Sequence, residues 1–205
     1  MEQVWYAGYG SNLDPVRFRC YLEGGRPPGA RRTYPGTRDG RPARAQVPYR
    51  LRGSLVFAGV STAWGGGLAL LDHRGDEVVL CRAYLLTRRE LVDVLEQEMR
   101  REPGSDHDLA PALAPDAEGS CHVVGPGRYE TVHRVGELGG HPVVTLGCDD
   151  VRAHAPRPPA PAYLATIARG LRVTHGLSVA DVVDYLARCR GIAGHLTRAE
   201  LRDLL

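Results

Sequence analysis

Two stretches of the sequence gather residues that could do chemistry. In "LVDVLEQEM", spacing successive residues by 100° puts Leu91, Val92, Val94, Leu95, Glu98 and Met99 on one arc, with Asp93, Glu96, Gln97 and Arg100 elsewhere. Glu98 is then the only carboxylate on the apolar flank. A carboxylate held there can carry protons between two nitrogens. It can equally reach water from the end of the helix or pair with an arginine. The second stretch is "VWYAGYGSNLDP", residues 4–15, where an apolar run ends in Gly8, Gly10, Ser11 and Asn12. Glycine lets a backbone approach a ligand closely, and N–H groups at such a corner can converge on a carboxylate or a carbonyl oxygen. The competing reading is a tight turn into the next helix, with no ligand.

Other chemistries find less support. The eight histidines show no H-E-x-x-H spacing, and "SDHDL" at 105–109 reads as a solvated loop. Five cysteines (Cys20, Cys81, Cys121, Cys148, Cys189) are scattered and form no C-x-x-C pair. We therefore expect no metal, no cofactor and no disulfide framework, with reduced thiols in a cytoplasmic protein. No cationic start leads into an apolar leader, and nowhere do about 18 apolar residues follow one another, so a soluble chain without a membrane partner is expected.

All 26 basic residues are arginine, and between Arg17 and Arg52 ten of them meet only two acids, Glu23 and Asp39. Such a stretch can meet an acidic protein, phosphate or nucleic acid, or can be a solvated face. No aromatic-and-basic interleaving accompanies it, which disfavours nucleic acid.

The elements that must position these groups follow from pattern. Residues 4–9 read as a strand, and Asp14 with Pro15 opens a short helix that ends at Gly24. Residues 25–50 are rich in Pro, Gly and Arg and read largely as loop. Strands follow in "RGSLVFAGV", "GGLALLD" and "EVVLCRAYLL". Thr87 and Glu90 form a capping box opening a helix through "RRELVDVLEQEMRR" that stops before Pro103. Residues 102–126 read as a long inserted loop, a lid or a disordered segment. "RYETVHRV" and "HPVVTLG" read as strands, followed by a Pro-rich bend and three helices. This order predicts an α+β domain with a largely antiparallel or mixed sheet, 1–190 forming the domain and 191–205 a C-terminal helical extension.

The residues "YAGYGSNL" resemble the start of the gamma-glutamylcyclotransferase family, whose first strand ends in a Y-G-S-N-L turn. "AWGGGLALL", "GDEVVLCRAYLL", "VLEQEM", "GRYETVHRV" and "PAPAYLATIARGLRVTHGLSVADVVDYL" are similar to further family landmarks, in the family's order, so the resemblance spans residues 5 to about 187. It implies a mixed β-barrel or strongly curved sheet flanked by helices. It also implies that Glu98 is the general acid/base, that Tyr6, Ala7, Gly8, Tyr9, Gly10, Ser11 and Asn12 cradle the glutamyl moiety, and that Tyr129 and Tyr163 line the pocket. Two departures bear on pocket shape. Met99 stands where the family usually has Gly, and Tyr129 arrives only after the 102–126 insertion.

The reaction implied is cyclisation of a γ-glutamyl amide to 5-oxoproline, without metal or cofactor. The alternatives are an amide hydrolase or acyltransferase on the same fold, or a non-catalytic binding module using the Arg-rich 17–52 stretch. The partners expected are a small γ-glutamyl substrate and, as an option, an acidic carrier protein. The chain is expected as a monomer or homodimer.

Overall fold

A computed structural model describes residues 2–126, 128–148 and 150–205. Its first strand, β1 (Gln3–Gly8), lies at the centre of the domain because its side chains serve two cores in alternation. Val4 and Tyr6 join one core, Trp5 and Ala7 the other, and all four are buried. A strand covered on both faces reads as a continuous apolar run, which is why "VWYAG" shows no polar alternation.

The remaining strands are β2 (Gln46–Arg52), β3 (Ser54–Ala58), β4 (Leu68–Asp72), β5 (Val78–Thr87), β6 (Cys121–Val123), β7 (Thr131–Leu138) and β8 (His141–Gly147). Six of them form one sheet in the order β2-β5-β1-β8-β7-β6, and β3 and β4 pair separately. The sheet is mixed, since β1 runs antiparallel to β5 but parallel to β8, with Trp5 opposite Val143. Of the two expected forms, the curved open sheet holds and the closed barrel does not: among the described residues β2 and β6 are the sheet's two edges.

Edge position explains β2, which had been expected to be mostly loop. Pro48 cannot donate to a ladder and is tolerated at an edge, and the partly buried or buried Val47, Tyr49 and Leu51 alternate with exposed Gln46, Pro48, Arg50 and Arg52.

One face of the sheet carries α1 (Pro15–Glu23), α2 (Arg88–Glu98) and a single turn, α3 (Ala110–Leu113). The other carries the β3–β4 pair with α4 (Pro161–His175), α5 (Val179–Ala187) and α6 (Arg198–Asp203). Asp14 caps α1 by accepting from Val16 N at 2.9 Å, and its other carboxylate oxygen pairs with Arg169 of α4. The segment 102–126, expected as a loop, holds α3 and β6 and buries Leu109, Ala112 and Leu113 in the core that also holds α1 and α2. Ile192 and Leu201 of the C-terminal stretch are buried in the same core as α4 and α5. No helix among the described residues is long and apolar enough to cross a membrane.

Helix α2 departs most from its pattern. Glu90, Asp93, Glu96 and Gln97 are buried as deeply as its leucines and valines, so Glu98 is not the only inward carboxylate. Each buried polar group has its own partner. Glu90 completes the capping box and receives Arg44 Nη1 at 2.6 Å. Asp93 accepts both the backbone N–H and Nε of Arg38 at 2.9 Å. His107 Nε2 lies 2.5 Å from Glu96, and Gln97 donates to the Tyr21 carbonyl at 2.9 Å. The helix also ends at Glu98 rather than continuing toward Pro103. Arg100 takes φ 64°, and the N–H groups of Arg100 and Arg101 return to the carbonyls of Gln97 and Glu96, closing a Schellman motif.

Asp93→Ala removes the acceptor of the Arg38 backbone N–H and Nε and leaves a gap in the buried face of α2. It should lower the unfolding free energy by about 2–4 kcal/mol in urea melts. Arg19→Ala, which breaks only the exposed pair with Glu23, should change it by less than about 0.5 kcal/mol.

Candidate functional site

The chain leaves β1 through a 3-10 turn, Gly10–Leu13, and the end of α2 arrives beside it. A cleft opens between them, lined by Tyr6, Tyr9, Ser11, Asn12, Glu98, Tyr129 and Tyr163, which are seven of the ten residues expected at the site. The other three support it from behind. The Ala7 carbonyl accepts from Thr145 Oγ1 at 2.7 Å. At Gly8 a Cβ would fall 2.9 Å from the Asn12 Cβ, and at Gly10 (φ 57°) one would fall 2.7 Å from the Ala69 Cβ. Both glycines therefore set the turn, and Gly10 also needs its left-handed backbone.

Asn12 joins the turn to α2. Its Nδ2 donates to the Tyr6 hydroxyl at 2.9 Å and to Glu98 Oε1 at 2.8 Å. A carboxylate oxygen can only accept, so this contact fixes the amide's orientation. Asn12 Oδ1 is left buried without a hydrogen-bond partner. Glu98 is half-buried and, unlike Glu90, Asp93 and Glu96, has no cation within ion-pair distance among the described residues.

Tyrosines build the walls. Tyr9 donates to the Leu146 carbonyl at 2.9 Å and Tyr129 to the Ala69 carbonyl at 2.8 Å. The Tyr163 hydroxyl accepts from Ala69 N at 3.4 Å and meets the Ser11 side chain, while its ring lies 5.4 Å from Trp64. Burial, and next the charge of Glu98, raises the pKa of Tyr6. Burial raises that of Tyr9 and Tyr129 as well, each reinforced by neighbouring tyrosines. The phenols face the cleft as neutral groups.

A cation stands among them. Arg17 of α1 is only 2% exposed, with its guanidinium 4.2 Å from the Tyr21 ring centroid and 4.4 Å from that of Tyr34. Nη2 donates to the Tyr34 hydroxyl at 2.9 Å, but Nε and Nη1 have no hydrogen-bond partner and no carboxylate pairs with it among the described residues. Burial disfavours its charge; Tyr21, Tyr34 and Glu98 more than offset this, and its pKa lies above the ordinary value. Three further arginines, Arg32, Arg100 and Arg128, also line the cleft. The arrangement can hold an anion at Arg17, accept donors at Asn12 Oδ1 and Glu98, and move a proton on Glu98.

Comparison with known proteins gives the fold a name. The structure matches a gamma-glutamyl cyclotransferase with a TM-score of 0.52 at 20% identity, over 99% of this chain and 98% of that one. It matches an uncharacterized protein from Homo sapiens with a TM-score of 0.54, also at 20% identity, over 100% and 98% of the two chains. This chain has the gamma-glutamyl cyclotransferase fold. In sequence it is 32% identical over 200 residues to histone deacetylase 5 of Arabidopsis thaliana, a match that takes in 89% of this chain and only 30% of that protein. No protein-family model matches the chain.

In this gamma-glutamyl cyclotransferase fold the sequence reading missed Arg17, Tyr21, Tyr34 and Gln97. Arg17 and Tyr21 carried a usable signal, since they stand i, i+4 on a helix whose next apolar residue is Phe18. Tyr34 and Gln97 reach the cleft only through tertiary packing. The arginine stretch is also partly accounted for: Arg17 and Arg32 line the cleft, and Arg38 and Arg44 pair with α2.

Burial pushes the Tyr163 hydroxyl from 10.0 up to about 12, against the opposing Ala69 N–H bond. Above pH 10 the unfolded chain therefore releases phenolic protons that the folded one retains. The tyrosine contribution to stability should be intact below pH 10 and should fall as pH rises toward about 12. Denaturant melts at successive pH values, with ultraviolet titration of tyrosinate, check this.

Proposed function

We propose that this protein is a gamma-glutamylcyclotransferase-type enzyme that converts a γ-glutamyl amide to 5-oxoproline and free amine, with Glu98 as general acid/base. The observation that carries the reading is the presence within one cleft of a carboxylate and a buried guanidinium that, among the described residues, form no ion pair. That is the charge complement of an α-amino acid head group. The α-ammonium lies against Glu98 and Asn12 Oδ1, and the α-carboxylate against Nε and Nη1 of Arg17.

The substrate brings its own nucleophile. Glu98 takes a proton from the α-ammonium, and the freed amine adds to the γ-carbonyl carbon. The ring C–N bond forms as the bond to the departing nitrogen breaks. Two protons pass in all from the attacking nitrogen to the leaving one, so the amine departs as its ammonium and no water is consumed. Proton transfer by a positioned carboxylate contributes about 10² to 10⁴ in rate. Holding amine and carbonyl together adds more, since effective molarities of about 10⁵ M and upward are known for well-oriented intramolecular reactions. The backbone N–H groups of the Gly10–Leu13 turn are the donors this reading assigns to a developing oxyanion. A turn that short supplies them at its first residues, whose N–H groups have no intrahelical acceptor.

Glu98→Gln should keep the fold and the 2.8 Å contact with Asn12 through its amide oxygen, and lower kcat by about 10² or more. Arg17→Gln should raise KM by about tenfold or more with a smaller change in kcat. The product decides the reaction class by mass spectrometry: 5-oxoproline supports cyclisation, and free glutamate supports hydrolysis instead. Absence of any turnover across a panel of γ-glutamyl amides overturns the proposal.

A further inference from the structure

Four guanidiniums and one carboxylate line the cleft. In the reading above, on which this inference rests, Glu98 faces the α-ammonium and Arg17 the α-carboxylate. Arg32, Arg100 and Arg128 are then left at the rim with no anion to meet. None of the three makes an ion pair among the described residues. Arg32 lies 5.2 Å from the Tyr34 ring centroid, and Arg128 gives one N–H to the Val60 carbonyl, which holds it in place without neutralising it.

The three are close enough to feel one another. Burial, and next the charges of Arg128 and Arg32, lowers the pKa of Arg100. Like charges gathered without a counter-ion repel, so the cluster is a cost to the free protein.

Arg100 adds a second cost. It is the one described non-glycine residue with positive φ, at the helix-ending position that glycine fills without strain. The chain thus spends backbone strain and charge repulsion to present guanidiniums at one opening.

We propose that the Arg32, Arg100 and Arg128 rim receives the leaving amine of the γ-glutamyl substrate and selects an amine bearing two or more negative charges. Guanidinium groups bind carboxylate and phosphate alike, so an acidic amino acid, an acidic peptide and a phosphorylated amine share the required chemistry.

The test measures kcat/KM for 5-oxoproline release from γ-glutamyl-ethylamide, γ-glutamyl-alanine, γ-glutamyl-aspartate and γ-glutamyl-phosphoserine at low ionic strength. The value should rise about tenfold with each negative charge on the leaving amine, and the differences should shrink as salt is added. A value for γ-glutamyl-phosphoserine above the line set by charge in the other three marks a preference for phosphate, and one below it a preference for carboxylate. Arg100→Gly should melt at the same temperature or higher, because the left-handed strain is relieved, yet should lose about tenfold of the discrimination. Arg32→Gln with Arg128→Gln should reduce it further. Equal kcat/KM across the series, or the highest value for the ethylamide, overturns the proposal. If none of the amides yields 5-oxoproline, the cyclisation reading fails by itself, and calorimetry of the same four amides with the intact protein reads the rim. Affinity ordered by charge sustains it, whereas charge-independent affinity, or no binding, overturns it.

Discussion

Helix α2 can be buried on every side only because each acid it carries inward meets a matched donor. Arg44 answers Glu90, Arg38 answers Asp93, and His107 answers Glu96, each at 2.9 Å or less. An unpaired carboxylate at any of these depths would cost several kcal/mol. With these contacts in place the helix is held firmly, and its last residue reaches the bend after β1. Glu98 stands apart: it has no cation at ion-pair distance among the described residues, and the groups that bond to it are neutral, the amide of Asn12 and the hydroxyl of Tyr21.

The cleft repeats this logic with the opposite sign. Arg17 is held among aromatic rings rather than carboxylates, so its charge is stabilised without being neutralised. The hydroxyls of Tyr9 and Tyr129 are tied to backbone carbonyls of β8 and β4, which fixes the walls to the main sheet and to the β3–β4 pair. The result is a polar cavity whose shape belongs to the scaffold, while its unmatched donors and acceptors point to a ligand.

Much of the fold was legible from local pattern. Thr87 with Glu90 forms the capping box its spacing suggested, and Asp14 with Pro15 starts α1 as expected. What failed was periodicity where partners are remote. The apolar arc of α2 says nothing of Arg38, Arg44 or His107, so its buried acids looked solvent-facing. The end of α2 was misplaced because an arginine, not a glycine, takes the left-handed position. Tyr129 and Tyr163 were found through resemblance alone, and Arg17 was hidden inside a stretch that read as surface charge. Composition names a charge but not its depth.

The pairing of β1 has a consequence for how the protein is made. Its partners lie far along the chain, at residues 82–87 on one side and 143–144 on the other. During synthesis the first strand therefore waits, oily on both faces, until β5 and then β8 have emerged from the ribosome. Contacts of that separation slow folding and leave an unsatisfied edge open to self-association. Assembly of the cleft is correspondingly a late event, since its walls cannot meet before Tyr163 has been translated.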